Sequence, residues 1–256
     1  MILFAVLFHL VASITWSGEF HEHRKFPNLF SDFRTLSGSL FSRESLESRT
    51  FRSLTLGTGA LYIMDDCIQR EIEDKQWFKH GVLGTGQRFG NKSRLVPIVA
   101  GMYLGGRLSN DSKLENMSMD AFESMLFASG FTEMFKGFNR SLQLSSLHRP
   151  RHGGKRKHLP WPSGHAAGAF AVSTVFSQYY GRGKRKYVSW LSYGLAGLTA
   201  YSRVRQGAHW ISDAFLGSAI GYFTAQNIIR MHSADSKGRD NHFFFTGTRV
   251  GYQFKF

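Results

Sequence analysis

The chain has 256 residues, enough to bury a full core as a single domain. Its hydrophobic content of 42% excludes a disordered chain, and its single cysteine, Cys67, excludes an internal disulfide. A net charge of +14 excludes indifference to anions, so the partners to expect are nucleic acid, anionic lipid head groups or phosphate esters.

Residues 1–17 are apolar and read as a secretory signal, with an uncleaved anchor as the alternative because a basic start is missing. The charged, serine-rich stretch 18–52 reads as an extended arm. Apolar segments with a helical period follow at 53–70, 93–108, 118–140, 164–180, 187–203 and 209–231. They predict an all-α bundle of about six core helices filling a domain at 53–231. Between the first two lies Gly81-Val82-Leu83-Gly84-Thr85-Gly86, which lacks the Gly-Lys-Ser/Thr ending of a nucleotide loop and reads as a linker. The glycine- and alanine-rich stretch 194–200 would let helices approach closely. A mean hydropathy of −0.23 is low for a chain that is mostly membrane. The apolar stretches run about 15–18 residues against the roughly 20 that a bilayer requires, and the question of spanning stays open.

Basic residues gather at Arg149, Arg151, Lys155, Arg156 and Lys157, and again at Arg182, Lys184, Arg185 and Lys186. They read either as solvated loops or as surfaces that attract an anionic lipid or substrate. Residues 232–256 read as a linker and a strand-like tail, because Val250, Tyr252, Phe254 and Phe256 alternate with polar or small residues. That tail is expected to dock on the bundle, with an outer-membrane type of final strand as the alternative.

Two clusters carry chemistry. In Ser202-Arg203-Val204-Arg205-Gln206-Gly207-Ala208-His209-Trp210-Ile211-Ser212-Asp213, His209 and Asp213 are four apart and are expected to share one helix face. A carboxylate on one imidazole nitrogen fixes the tautomer and raises the basicity of the other, as a histidine nucleophile needs. Arg203 offers a planar fork for phosphate oxygens. In Pro162-Ser163-Gly164-His165, a proline before Ser-Gly predicts a helix N-terminus, where Ser163 and the Gly164 amide would meet an anion and His165 would stand beside them as a proton donor. Lys136 and Arg149-Pro150 would add cations. Zinc is the alternative reading of the histidines, yet neither His-Glu-x-x-His nor Cys-x-x-Cys spacing accompanies them, and no metal or cofactor is expected.

Together these residues resemble the type 2 phosphatidic acid phosphatase family, whose superfamily includes class A bacterial acid phosphatases and vanadium haloperoxidases. Its signature reads Lys-x6-Arg-Pro, Pro-Ser-Gly-His and Ser-Arg-x5-His-x3-Asp. The second part matches Pro162 to His165 and the third matches Ser202, Arg203, His209 and Asp213, within a resemblance that covers about residues 55–230. The first part departs, since Leu142 stands where a lysine would precede Arg149. Thr132-Glu133-Met134-Phe135-Lys136 looks like the family's lysine-bearing helix end, which makes Lys136 the expected cation and Arg140 its alternative.

The resemblance implies a metal-independent phosphatase acting on a phosphate monoester or pyrophosphate, with phosphatidic acid, phosphatidylglycerol phosphate, undecaprenyl pyrophosphate and lipid A phosphates as candidate lipids. His209 would attack phosphorus, Asp213 would hold its imidazole and His165 would protonate the leaving group. Lys136, Arg149, Ser163, Gly164 and Arg203 would bind the phosphoryl oxygens. Implied partners are a phosphorylated lipid and a membrane surface, not nucleic acid, in a bacterial envelope with the site facing the periplasm. Two rivals are a vanadate-dependent haloperoxidase and a non-catalytic basic envelope protein that binds anionic lipid.

Overall fold

The structure, a computed structural model, describes residues 29–40, 48–75, 80–141, 161–181, 183–235, 242–246 and 249–253. The signal-like segment 1–17, Arg149 and the basic run around it, and the final aromatic residues of the tail lie outside the described residues. Among those described are eight α-helices: α1 (Leu29–Leu40), α2 (Arg49–Lys75), α3 (His80–Phe89), α4 (Lys92–Leu108), α5 (Ser112–Ser141), α6 (Gly164–Tyr180), α7 (Lys186–Arg205) and α8 (Ile211–Asp235). The expected all-α bundle is therefore the architecture found.

Helix α6 is the central one. Gly164 and every residue from Ala166 to Val175 are buried, as an all-round apolar or small-residue helix must be. It packs against α5, α7 and α8. The contact with α8 is made backbone to backbone, because a Cβ at Gly217 would land on the carbonyl oxygen of Ser163 and one at Gly221 on that of Ala167. Two glycines one turn apart thus draw the N-terminal ends of α6 and α8 together.

Four expectations change. Gly81–Gly86 belongs to helix α3 and is not a linker. Glycine costs a helix about 1 kcal/mol, but here it allows contact: a Cβ at Gly86 would lie 2.7 Å from the Leu198 carbonyl oxygen, and the Thr199 hydroxyl donates to the Gly86 carbonyl at 2.7 Å. The close approach expected from stretch 194–200 uses buried Ala196 and Ala200, with the decisive glycine on the partner helix. Within the stretch read as an extended arm, Leu29–Leu40 is helical because its apolar side finds a partner. Leu36 is fully buried with Phe127, Phe131 and Ile228, and the Phe33 ring lies 5.8 Å from that of Phe131. The tail forms an antiparallel pair, β1 (His242–Thr246) with β2 (Arg249–Gln253), in the register His242 opposite Gln253 and Thr246 opposite Arg249. Its strands pair with each other, where one alternating strand was expected. Among the described residues, no helix is long and apolar enough to cross a membrane.

Candidate active site

The end of α7 sets the first half of the site. Gly207 adopts φ 70°, a conformation that favours glycine, and the chain closes a Schellman turn. The Gly207 amide donates to the Val204 carbonyl at 2.9 Å and the Ala208 amide to that of Arg203 at 2.9 Å. The His209 amide donates to the same Arg203 carbonyl at 3.2 Å, so the arginine and histidine of the motif are tied through one oxygen.

His209 and Asp213 meet, but not on a shared helix face. Helix α8 begins at Ile211, and Asp213 stands in its first turn with His209 before it. The Trp210 amide donates to Asp213 Oδ2 at 3.0 Å, as in an inward-folded cap, and this brings His209 Nδ1 to 3.4 Å from the same oxygen. Both side chains are buried. Burial lowers the His209 pKa, Asp213 opposes that effect, and the Arg203 and Lys136 charges reinforce it. The imidazole is neutral near pH 7, with Nδ1 toward the carboxylate and Nε2 left as the basic nitrogen.

The second half comes from α6. Ser163 is its N-cap, with φ −76° and ψ 109°, and its hydroxyl oxygen accepts from the Ala166 amide at 3.5 Å. The peptide before Pro162 is cis. The Ser163 amide donates to the Asp213 carbonyl at 3.1 Å and fixes the two helix starts against each other. A Cβ at Gly164 would lie 3.6 Å from Lys136 Nζ, so the ammonium of α5 stands over the positive end of α6. Lys136 also pairs with Glu133 at 2.7 Å. The structure thus brings together Lys136, Ser163, Gly164, His165, Arg203, His209 and Asp213. The side chain of Arg140 lies outside the described residues, as does Arg149.

Two residues escaped the sequence reading. Lys92, the first residue of α4, is half-buried; its pKa is lowered chiefly by burial, against Glu133 and with Lys136. Gly90, two residues earlier, lies so close to His165 that a Cβ there would stand 3.2 Å from its carbonyl oxygen and 3.3 Å from its Cβ. The available signal was Asn91, a capping residue, directly before a lysine. The other is Asp65 on α2, which accepts from the Ser212 amide at 3.1 Å and the Ser212 hydroxyl at 2.6 Å. Burial raises its carboxyl pKa to about 6 against the pull of those two bonds. Its sequence signal was a charge inside an apolar helical segment.

His165 reports the field these groups create. Burial first, then the charges of Arg203, His209, Lys92 and Lys136, bring its pKa down to about 4. Arg203 is steadied by donating to Gln206 Oε1 at 3.1 Å, and Gln206 donates to Gln87 Oε1 at 3.0 Å. Such a set can hold a tetrahedral oxyanion beside a neutral imidazole.

The model of the PAP2 superfamily matches residues 119–237, which contain all seven of the assembled residues. A lipid A 1-phosphatase of Porphyromonas gingivalis is 36% identical over 66 residues, 26% of this chain, and the chain spans 15% of that relative's length. The crystal structure of Aquifex aeolicus LpxE gives a TM-score of 0.49 at 18% identity, covering 65% of this chain and 95% of the other. That of a transmembrane PAP2 type phosphatidylglycerolphosphate phosphatase from Bacillus subtilis gives 0.49 at 17% identity, covering 83% and 96%.

Proposed function

Because residues 119–237 match the PAP2 superfamily model, we propose that this chain is a phosphoric ester hydrolase of that kind, cleaving a lipid-linked phosphate monoester or pyrophosphate through a phosphohistidine. The observation that carries this reading is the buried His209, its Nδ1 3.4 Å from Asp213, beside the cations of Lys136 and Arg203. His209 Nε2 attacks phosphorus in line, and the bond to the leaving alkoxide breaks as His165, in its imidazolium form, gives that oxygen its proton. In the second step His165 takes a proton from water, whose oxygen displaces His209 and releases phosphate. Lys136, Arg203, Ser163, the Gly164 amide and, from the family resemblance, Arg149 spread the charge of the equatorial oxygens.

Two observations favour an amphiphilic substrate. The net charge of +14 attracts anionic surfaces. On α5, Phe122, Leu126, Met134 and Phe138 are exposed at intervals of four or eight residues and form an apolar stripe along the helix. The similar lipid A 1-phosphatase makes lipid A phosphates a first choice alongside phosphatidic acid, phosphatidylglycerol phosphate and undecaprenyl pyrophosphate. The location that fits is the bacterial envelope, on a membrane surface with the site facing the periplasm.

The test is phosphate release by the full-length protein from these lipids in mixed micelles and from soluble esters, with radiolabelled phosphate trapped on the protein by rapid quench. Turnover of lipid phosphates with label on His209 is expected. Binding of anionic lipid with no turnover of any ester would replace this reading with a non-catalytic lipid binder.

A further inference from the structure

At the end of the bundle opposite the catalytic groups, three helices bring metal-ligating side chains to one point. Asp32 of α1, Glu123 of α5 and His232 of α8 place one donor atom each within 4.8 Å of one another. His232 Nε2 is 3.5 Å from Glu123 Oε2 and 3.9 Å from Asp32 Oδ2. Bonds of about 2.0–2.1 Å at tetrahedral angles set donor atoms roughly 3.3 Å apart, so an inward movement of the two carboxylates would bring three donors to that spacing, with a fourth position left for water. Along α5, Glu123 precedes Lys136 by thirteen residues, about 20 Å of helix, so the cluster is separate from the catalytic groups.

We propose that Asp32, Glu123 and His232 bind a divalent first-row cation of zinc's size, which staples α1 to α5 and α8. The setting of His232 supports this. Its Nδ1 lies 2.7 Å from Asp120 Oδ1, and Asp120 Oδ2 accepts from the Tyr179 hydroxyl at 2.7 Å. A carboxylate behind one imidazole nitrogen is the arrangement that turns the other toward a metal and strengthens it as a ligand. Nε2 then faces two carboxylate oxygens, at 3.5 Å and 3.9 Å. Asp120 and Glu123 are almost wholly buried and His232 is 8% exposed, so an ion bound here would be shielded from water. One imidazole and two carboxylates suit Zn2+ or Mn2+, and are too few for the six to eight oxygens calcium takes. The staple would also give α1, only twelve residues long, a hold beyond its Phe33 and Leu36 contacts.

The site uses none of the catalytic residues, and its test needs no activity. Full-length protein, stripped with a chelator, would be titrated with Zn2+ against a chromophoric competitor, and its melting followed with and without metal. About one tight zinc per chain and a higher Tm with zinc are expected. Asp32→Asn, at the more open edge of the cluster, and His232→Gln should each weaken that zinc by at least about tenfold. Should the His232 variant fail to fold, the Asp32 variant and the visible d–d spectrum of Co2+-loaded wild type carry the test. Zinc that does not bind, or that binds wild type and Asp32→Asn equally while Tm ignores it, overturns the proposal and makes His232 an imidazolium in an ion cluster.

Discussion

Replacing Gly217 with alanine probes how the two halves of the site are held in register. The new Cβ would fall on the Ser163 carbonyl oxygen, with the carbonyl carbon at 3.1 Å and the amide nitrogen at 3.2 Å. To restore ordinary contact distances α8 must retreat from α6 by about 1 Å. The carbonyl struck belongs to the residue whose amide donates to Asp213, so the movement separates Ser163, Gly164 and His165 from Asp213 and His209. Overpacking of this kind costs about 1–3 kcal/mol, or several degrees of Tm in a chain of this size. A displacement of about 1 Å between reacting groups costs about a hundredfold in rate, near 2.7 kcal/mol of barrier. Phosphate-release kinetics and thermal melting of Gly217→Ala should therefore show kcat/KM down about a hundredfold in a protein that still folds. Gly130→Ala is the control: that glycine is exposed on α5 with nothing within 4 Å of its Cβ position, and alanine there should add about 0.5–1 kcal/mol of stability at unchanged kcat/KM. Wild-type rate and Tm in Gly217→Ala would refute the backbone contact as the device that aligns the site.

His209→Ala should lower phosphate release by at least about 10⁴-fold and leave no labelled protein in a rapid quench; near-normal turnover would remove the mechanism. Lys92→Gln takes away one of the charges that depress His165, so the His165 pKa followed by NMR should rise from about 4 and inorganic phosphate should bind more weakly. An unmoved His165 titration would place Lys92 outside the site's field. Asp65 has a folded pKa near 6 against 3.8, so its protonated form favours folding below pH 3.8 and that stabilisation is lost as pH rises through 6. At neutral pH the buried charge costs about 3 kcal/mol. Asp65→Asn should therefore melt at or above wild type at pH 8 and lose that advantage at pH 4; a difference independent of pH would contradict the burial argument.

What could be read from the chain divides along physical lines. The order of the core helices and the seven residues that the structure brings together were legible because most rest on a local signal (a helical period, a capping residue, or a motif with fixed spacing), and Lys136 on the family resemblance. His209 and Asp213 were paired correctly for the wrong reason. Spacing of four suggests one helix face, whereas the actual device is a capping turn in which Asp213 receives the Trp210 amide. Lys92 and Asp65 were hidden because their partners are far away in sequence, Asp65 meeting Ser212 across 147 residues. Helix α3 was missed because its glycines read as breakers, while their purpose, backbone contact with Leu198 and Thr199, is visible only in three dimensions. Helix α1 failed for the same reason, since Leu36 signals burial only once Phe127, Phe131 and Ile228 surround it.

The depressed pKa of His165 and its proposed role as an acid are consistent once the substrate's charge is counted. With the site free of anion, burial and four neighbouring positive or ionisable groups keep the ring unprotonated at neutral pH. A protonated ring there would add one more cation to Lys92, Lys136 and Arg203 in a partly desolvated cradle. A phosphate group reverses the balance, because its negative oxygens lie among the same cations and cancel the field that expelled the proton. The ester itself, as a monoanion, can deliver that proton on entry. In the proposed mechanism His165 would therefore become an acid only when there is a leaving group to receive its proton, and His209, held by Asp213 and deeper in the protein, would attack as a neutral imidazole. On that proposal one cluster of cations would both bind the phosphate and, through its occupancy, set the protonation state that cleavage requires.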